Sequence, residues 1–130
     1  MDDELNQAIK QADEKKDDPN LWNIVAEILI KQKRYNKASK ILKKILLLDK
    51  NHPKGLTNNA LIYMVNANLN EAEQLLLHSL EYDKEYYLTW FRLGIIKLNQ
   101  KKLAQAIKNL EKALSLNQSF YDSYLNIGWS

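Results

Sequence analysis

Apolar positions between residues 90 and 114 follow a helical period. Trp90, Leu93, Gly94 and the Ile95–Ile96 pair trace one such run, and Leu103, Ala106, Ile107, Leu110, Ala113 and Leu114 trace a second. The segment between them, Asn99-Gln100-Lys101-Lys102, is polar and fits a short turn. The pattern predicts two antiparallel helices of about 14 residues, about four turns each. The same alternation occurs twice upstream, predicting helices over 20–33 and 35–48, then over 53–66 and 69–82. Pro53 suits the first turn of a helix, where its missing N–H leaves nothing unsatisfied; Pro19 does the same after Asp18, a good N-cap.

The pairs repeat with one spacing. Ala26, Ala60, Gly94 and Gly128 lie 34 residues apart, each preceded four residues earlier by a large side chain: Trp22, Leu56, Trp90 and Tyr124. Twelve residues after the first three small residues comes an alanine, at Ala38, Ala72 and Ala106. A single globular core has no reason to keep such a period, whereas a stack of like units must meet its neighbours the same way each time. The small residues mark close helix crossings, where a larger side chain would push the axes apart at about 1–3 kcal/mol. Trp22, Trp90 and Tyr124 are read as the knobs that fill the gaps between neighbouring pairs.

These residues resemble the tetratricopeptide repeat, a helix-turn-helix unit of about 34 residues. The third copy supplies Trp90, Leu93, Gly94, Ala106 and Ala113, with Leu110 at an aromatic site. The first supplies Trp22, Val25, Ala26, Tyr35, Ala38 and Leu42, and the second Ala60, Tyr63, Leu69, Ala72 and Leu76. Asn59 and Lys97 depart from the motif. Lys50, Lys84 and Gln118 stand where the closing proline is usual, although Asp49 and Asp83 keep the residue before it. The resemblance covers about residues 18–130. It implies an all-α fold, a right-handed superhelical solenoid of antiparallel helix pairs forming a single domain over 1–130. Its parts would be an N-terminal helix in 1–17, full repeats over 19–52, 53–86 and 87–120, and the first helix of a partial fourth repeat at 121–130.

Both ends are irregular. Leu5, Ile9 and Ala12 give residues 3–16 one apolar helical face, suited to covering the start of the stack. At the other end Tyr124, Leu125, Ile127 and Trp129 leave few polar positions. Two readings stand: the natural chain continues, which is preferred, or this edge makes a homodimer or larger homo-oligomer through Tyr124, Leu125 and Trp129.

Composition narrows the picture. No apolar run is long enough to span a membrane, and Met1-Asp2-Asp3-Glu4 does not begin a signal peptide, so a cytoplasmic protein is the default expectation. The net charge of +3 hides an uneven layout. Residues 1–18 hold seven acidic and three basic groups, whereas 31–50 hold eight basic groups against Asp49 alone. The basic stretch reads first as a solvated outer face, with electrostatic docking of an anionic partner as the alternative. It has one arginine, Arg34, and no interleaved aromatics for base stacking, which argues against nucleic acid.

Catalysis finds no constellation, and no enzyme, metal or cofactor is expected. There is no cysteine, and three glycines cannot make a phosphate-cradling loop. His52 and His78 lack a partner at metal-ligand spacing and are read as surface histidines.

What remains is a surface. In the resembled family the first helices line a concave groove that holds an extended peptide or a helix. The matching positions here include Asn23, Glu27, Asn58, Leu61, Met64, Phe91, Arg92, Ile95, Leu98 and Asn99. Thr57 and Val65 fall on the same face. From the second repeat onward this face is apolar, which predicts a non-catalytic scaffold that anchors a hydrophobic peptide or amphipathic helix of a protein partner. Phe91, Leu61, Met64 and Ile95 would anchor it, and Asn58, Arg92 and Asn99 would hydrogen-bond its backbone. Replacing Phe91 by Ala is expected to weaken partner binding with little change in thermal stability. The clamp that family members use for a chaperone's C-terminal carboxylate maps to Asn23, Glu27, Asn58, Leu88 and Arg92. Only Asn58 and Arg92 fit, and Glu27 would repel a carboxylate, so a chaperone tail is not expected.

Overall fold

The computed structural model describes residues 3–120. Among them are seven helices and no strand: α1 (Asp3–Glu14), α2 (Pro19–Lys31), α3 (Tyr35–Leu48), α4 (Pro53–Val65), α5 (Leu69–Tyr82), α6 (Tyr87–Asn99) and α7 (Leu103–Leu116). Their limits fall within about two residues of those read from the apolar period. The chain divides into two compact units, one ending at Tyr82 and the other beginning at Asp83.

In the first unit each helix packs on the next, and α2 also touches α4. The result is two layers, with α2 and α4 in one and α1, α3 and α5 in the other. Val25, Ala26, Ala38, Leu42 and Ile45 are completely buried, and Leu5, Ala8 and Ala12 of α1 join the same core. The second unit is one pair, α6 against α7.

The periodic small residues are enclosed by the packed helices. Ala26, Ala38, Ala60, Ala72 and Ala106 have no exposed surface. Gly94 is a stricter case: a Cβ there would lie 2.7 Å from the Leu110 side chain, so even alanine requires that side chain to move.

The tryptophans do more than fill space. The Trp22 indole N–H donates to the Lys16 carbonyl at 3.0 Å, and the Trp90 indole N–H donates to the Lys84 carbonyl at 2.8 Å. Both carbonyls lie six residues upstream, so each ring ties down the connector that enters its own helix. The Lys44 ammonium sits 3.8 Å above the Trp22 ring. Tyr124 lies outside the described residues.

Turns are built to a common plan. Lys33, Ala67 and Lys101, again 34 apart, adopt left-handed φ values of 59°, 65° and 63°. Around them the Arg34, Asn68 and Lys102 N–H groups donate five residues back, to Leu29, Tyr63 and Lys97 carbonyls. This is the Schellman closure, which satisfies carbonyls left over at a helix C-terminus. Where the repeat motif would place its closing proline, side chains hold the chain instead. The Asp49 and Asp83 carboxylates accept the Asn51 and Glu85 N–H groups at 3.1 and 2.8 Å. At the next equivalent position, the Asn117 side-chain oxygen accepts the Phe120 N–H at 2.9 Å.

Helix starts confirm one expectation and correct another. Asp18 caps α2 by accepting the Asn20 N–H at 2.9 Å, ahead of Pro19. His52, expected at the surface, is only 5% exposed and is the N-cap of α4. Its Nδ1 accepts the Gly55 N–H at 3.0 Å, so the neutral ring carries its proton on Nε2 and donates it to the Asn20 side-chain oxygen, 2.8 Å away. That bond joins the start of α4 to the start of α2. His78 is half-buried, with Nε2 2.9 Å from the Asn51 side-chain oxygen and its ring tilted against Tyr82.

The cap gives a pH prediction. Burial holds the His52 imidazole below its ordinary value of 6.5, against the pull of Asp49 and Asp18 and with a smaller push from Lys54. A protonated Nδ1 could not accept from Gly55. The folded state therefore favours the neutral ring, and its contribution is complete above the unfolded value. It is lost as pH falls from there through the lowered folded value, because the unfolded chain takes up the proton first. Thermal melts between about pH 7.5 and about pH 5.5 should show a decline that His52→Asn, a cap that does not titrate, reduces. Parallel curves for the two proteins would remove His52 as the cause.

Candidate partner-binding face

In the first unit the α2 and α4 positions read as a groove separate into two kinds. Asn23 and Asn58 are 3% and 1% exposed, and the Asn58 amide donates to the Asn23 side-chain oxygen at 3.0 Å. Thr57 is also fully buried, 2.9 Å from the Ser79 hydroxyl, which in turn donates to the Pro53 carbonyl. These residues join the helices to one another. Asn58, expected to bond a peptide backbone, is therefore reassigned: α2 and α4 touch, and their contact covers the positions that a helical wheel points outward. Leu61, Met64 and Glu27 stay half-buried, Val65 is 47% exposed, and Ile24, which the sequence reading passed over, is 45% exposed.

The second unit behaves similarly. Arg92 is 8% exposed, too deep to be the solvent-facing hydrogen-bond donor that was expected. Ile95 is half-buried, Leu98 is 43% exposed and Asn99 is exposed. Phe91 is half-buried and meets Phe120 edge to face, 5.2 Å between ring centres, with Tyr87 against the same ring at 4.7 Å. Truncating Phe91 removes an aromatic contact worth about 0.5–1.5 kcal/mol, so the expectation of unchanged stability does not fit this environment. Tyr124, Leu125 and Trp129, read as a self-association edge, lie outside the described residues.

What reaches solvent is thus mainly apolar, at equivalent register positions. Leu61 and Ile95 are 34 apart, as are Met64 and Leu98, and Val65 and Asn99. The buried positions between them are polar and satisfied internally. Such a face can hold an apolar side chain of another molecule by exclusion of water. No group of three or more metal-ligating side chains occurs among the described residues, and no helix among them is long and apolar enough to cross a membrane.

Solved structures share this architecture. The crystal structure of MamA superposes with a TM-score of 0.67 at 18% identity, covering 95% of this chain and 72% of that one. The second tetratricopeptide domain of Spaghetti (RPAP3), solved bound to the HSP90 peptide SRMEEVD, gives 0.67 at 20% identity, covering 82% of this chain and 99% of that one. YrrB, described as a tetratricopeptide protein with an unusual peptide-binding site, gives 0.71 at 22% identity, covering 85% of this chain and 57% of that one. Identities this low speak for the fold alone. A search of curated proteins by sequence finds no match. Two models described as tetratricopeptide repeat match the sequence, one over residues 29–93 and the other over 87–120. With the periodic small residues, the paired helices and these matches in agreement, the chain belongs to the tetratricopeptide repeat family.

Proposed function

We propose that this protein is a non-catalytic scaffold that holds an apolar peptide or an amphipathic helix of a partner protein against the exposed apolar face of α4 in the first unit, with α6 of the second unit offering a face of the same kind by itself. The observation that carries this reading is the recurrence of water-facing apolar side chains at matching places on these helices: Val65 at 47% and Leu98 at 43% exposure, beside half-buried Leu61, Met64 and Ile95. Apolar side chains at spacings of three and four along a helix are the usual anchors for such ligands. Peptide binding by RPAP3 and YrrB, similar in fold, supports the reading. The residues disfavour a carboxylate-terminated ligand. Glu27 and Leu88 occupy two of the five clamp positions, and Asn58 is committed to Asn23.

Peptides selected from a display library should be enriched in leucine, isoleucine and aromatics and poor in acidic C-termini. Val65→Asp should weaken peptides held on α4, and Leu98→Asp those held on α6, each about tenfold and, because both side chains are already half in water, with little change in melting temperature. Titration calorimetry checks the first point and circular dichroism the second. Selected peptides that bind both variants as well as the parent would dismiss the assignment.

A further inference from the structure

The outer face of α3 is the strongest charged feature that the proposed function leaves unused. The helix contains no acidic residue, and Lys37, Lys40 and Lys43 are all exposed. At 100° per residue these three lie within about a third of the helix circumference. Leu47 falls in the same arc and is 88% exposed. Like charges three residues apart weaken a helix slightly, so the arrangement is not a stabilising device.

We propose that this face is a docking strip for an acidic helical segment of a partner protein. The shape of the field selects that occupant. In the same layer of the first unit, α1 exposes Asp3, Glu4, Asp13 and Glu14, and α5 exposes Glu71 and Glu81. The positive potential is therefore one helix wide, roughly 10 Å, comparable with the screening length in physiological salt. A flat anionic bilayer or a nucleic-acid duplex is broad enough to meet the flanking carboxylates as well. A single acidic helix is not, and its length of about 20 Å per 14 residues matches α3. Lysine, a point charge without a fixed fork, suits a row of glutamates and favours orientation less than it favours attraction. Leu47 supplies the orientation, since only one end of the strip is apolar. The strip lies on the other layer from the α4 face and does not depend on that reading.

The test uses a fluorescein-labelled helical peptide of about 14 residues, with glutamates at successive three- and four-residue spacings and a leucine near one end. A control peptide carries glutamine for each glutamate. Anisotropy should show the control binding at least about tenfold more weakly, and the acidic peptide losing about tenfold in affinity between low and physiological salt. The combined Lys37→Gln, Lys40→Gln and Lys43→Gln variant should lose the peptide with its helicity intact. Leu47→Ser should weaken binding about tenfold without changing the salt response. Equal binding of both peptides, or a triple variant that still binds, overturns the proposal. So does strip-dependent binding of phosphatidylserine vesicles or a DNA duplex tighter than that of the peptide, or strip-dependent self-association in sedimentation.

Discussion

Trp22→Ala should destabilise the first unit by about 3–5 kcal/mol, a large part of the stability of a domain this size. Three losses coincide. The ring is 4% exposed within a core shared by α1, α2 and α3, so truncation leaves a cavity. Its N–H no longer holds the Lys16 carbonyl, and Lys44 loses the ring beneath its ammonium. Trp22→Phe separates these contributions, because it keeps most of the volume and removes the hydrogen bond; it should cost about 1–2 kcal/mol. Urea denaturation followed by far-UV circular dichroism reads both. The equivalent Trp90 is only half-buried, so its alanine variant should cost less in its own unit. A Trp22→Ala protein within about 1 kcal/mol of the parent would mean that the ring is not the keystone described here.

Asn58→Leu is the second large effect, at about 2–3 kcal/mol. The leucine fits the volume but strands the Asn23 side-chain oxygen in a place that water does not reach, where an unmet acceptor is costly. Asn23→Leu alone should behave similarly but more mildly, since Asn58 makes further interactions of its own. Replacing both residues removes donor and acceptor together and should cost less than the two single changes added. The cycle thus measures a coupling of about 1 kcal/mol or more. Simple additivity would show that the amide pair does not join α2 to α4.

These two cases show where the sequence was informative. Period and proline placement located the helices, because the angle around a helix follows directly from residue number. The small residues at 26, 60 and 94 located the tight crossings for the same reason. Depth was not legible. Asn58 points away from its own repeat's core on a wheel, yet α2 closes over it, and no single helix records that. Nor does a wheel separate Ile24 from Asn58, which hold the same place in successive repeats but are 45% and 1% exposed. His52 escaped because histidine is an uncommon N-cap, and its second bond reaches a residue 32 positions away. Phe91 meets Phe120, the last residue of its own repeat, and a wheel drawn for α6 alone does not bring the two together.

The left-handed residues at 33, 67 and 101 carry a consequence for the scaffold as a material. A residue with a Cβ resists this conformation by about 1–2 kcal/mol, more than glycine gives up in chain freedom. Each hairpin between paired helices is thus held in a strained shape by the packing of the helices it joins. Glycine at these three exposed positions would relieve that resistance, so the joints within each pair could be strengthened without touching the buried core.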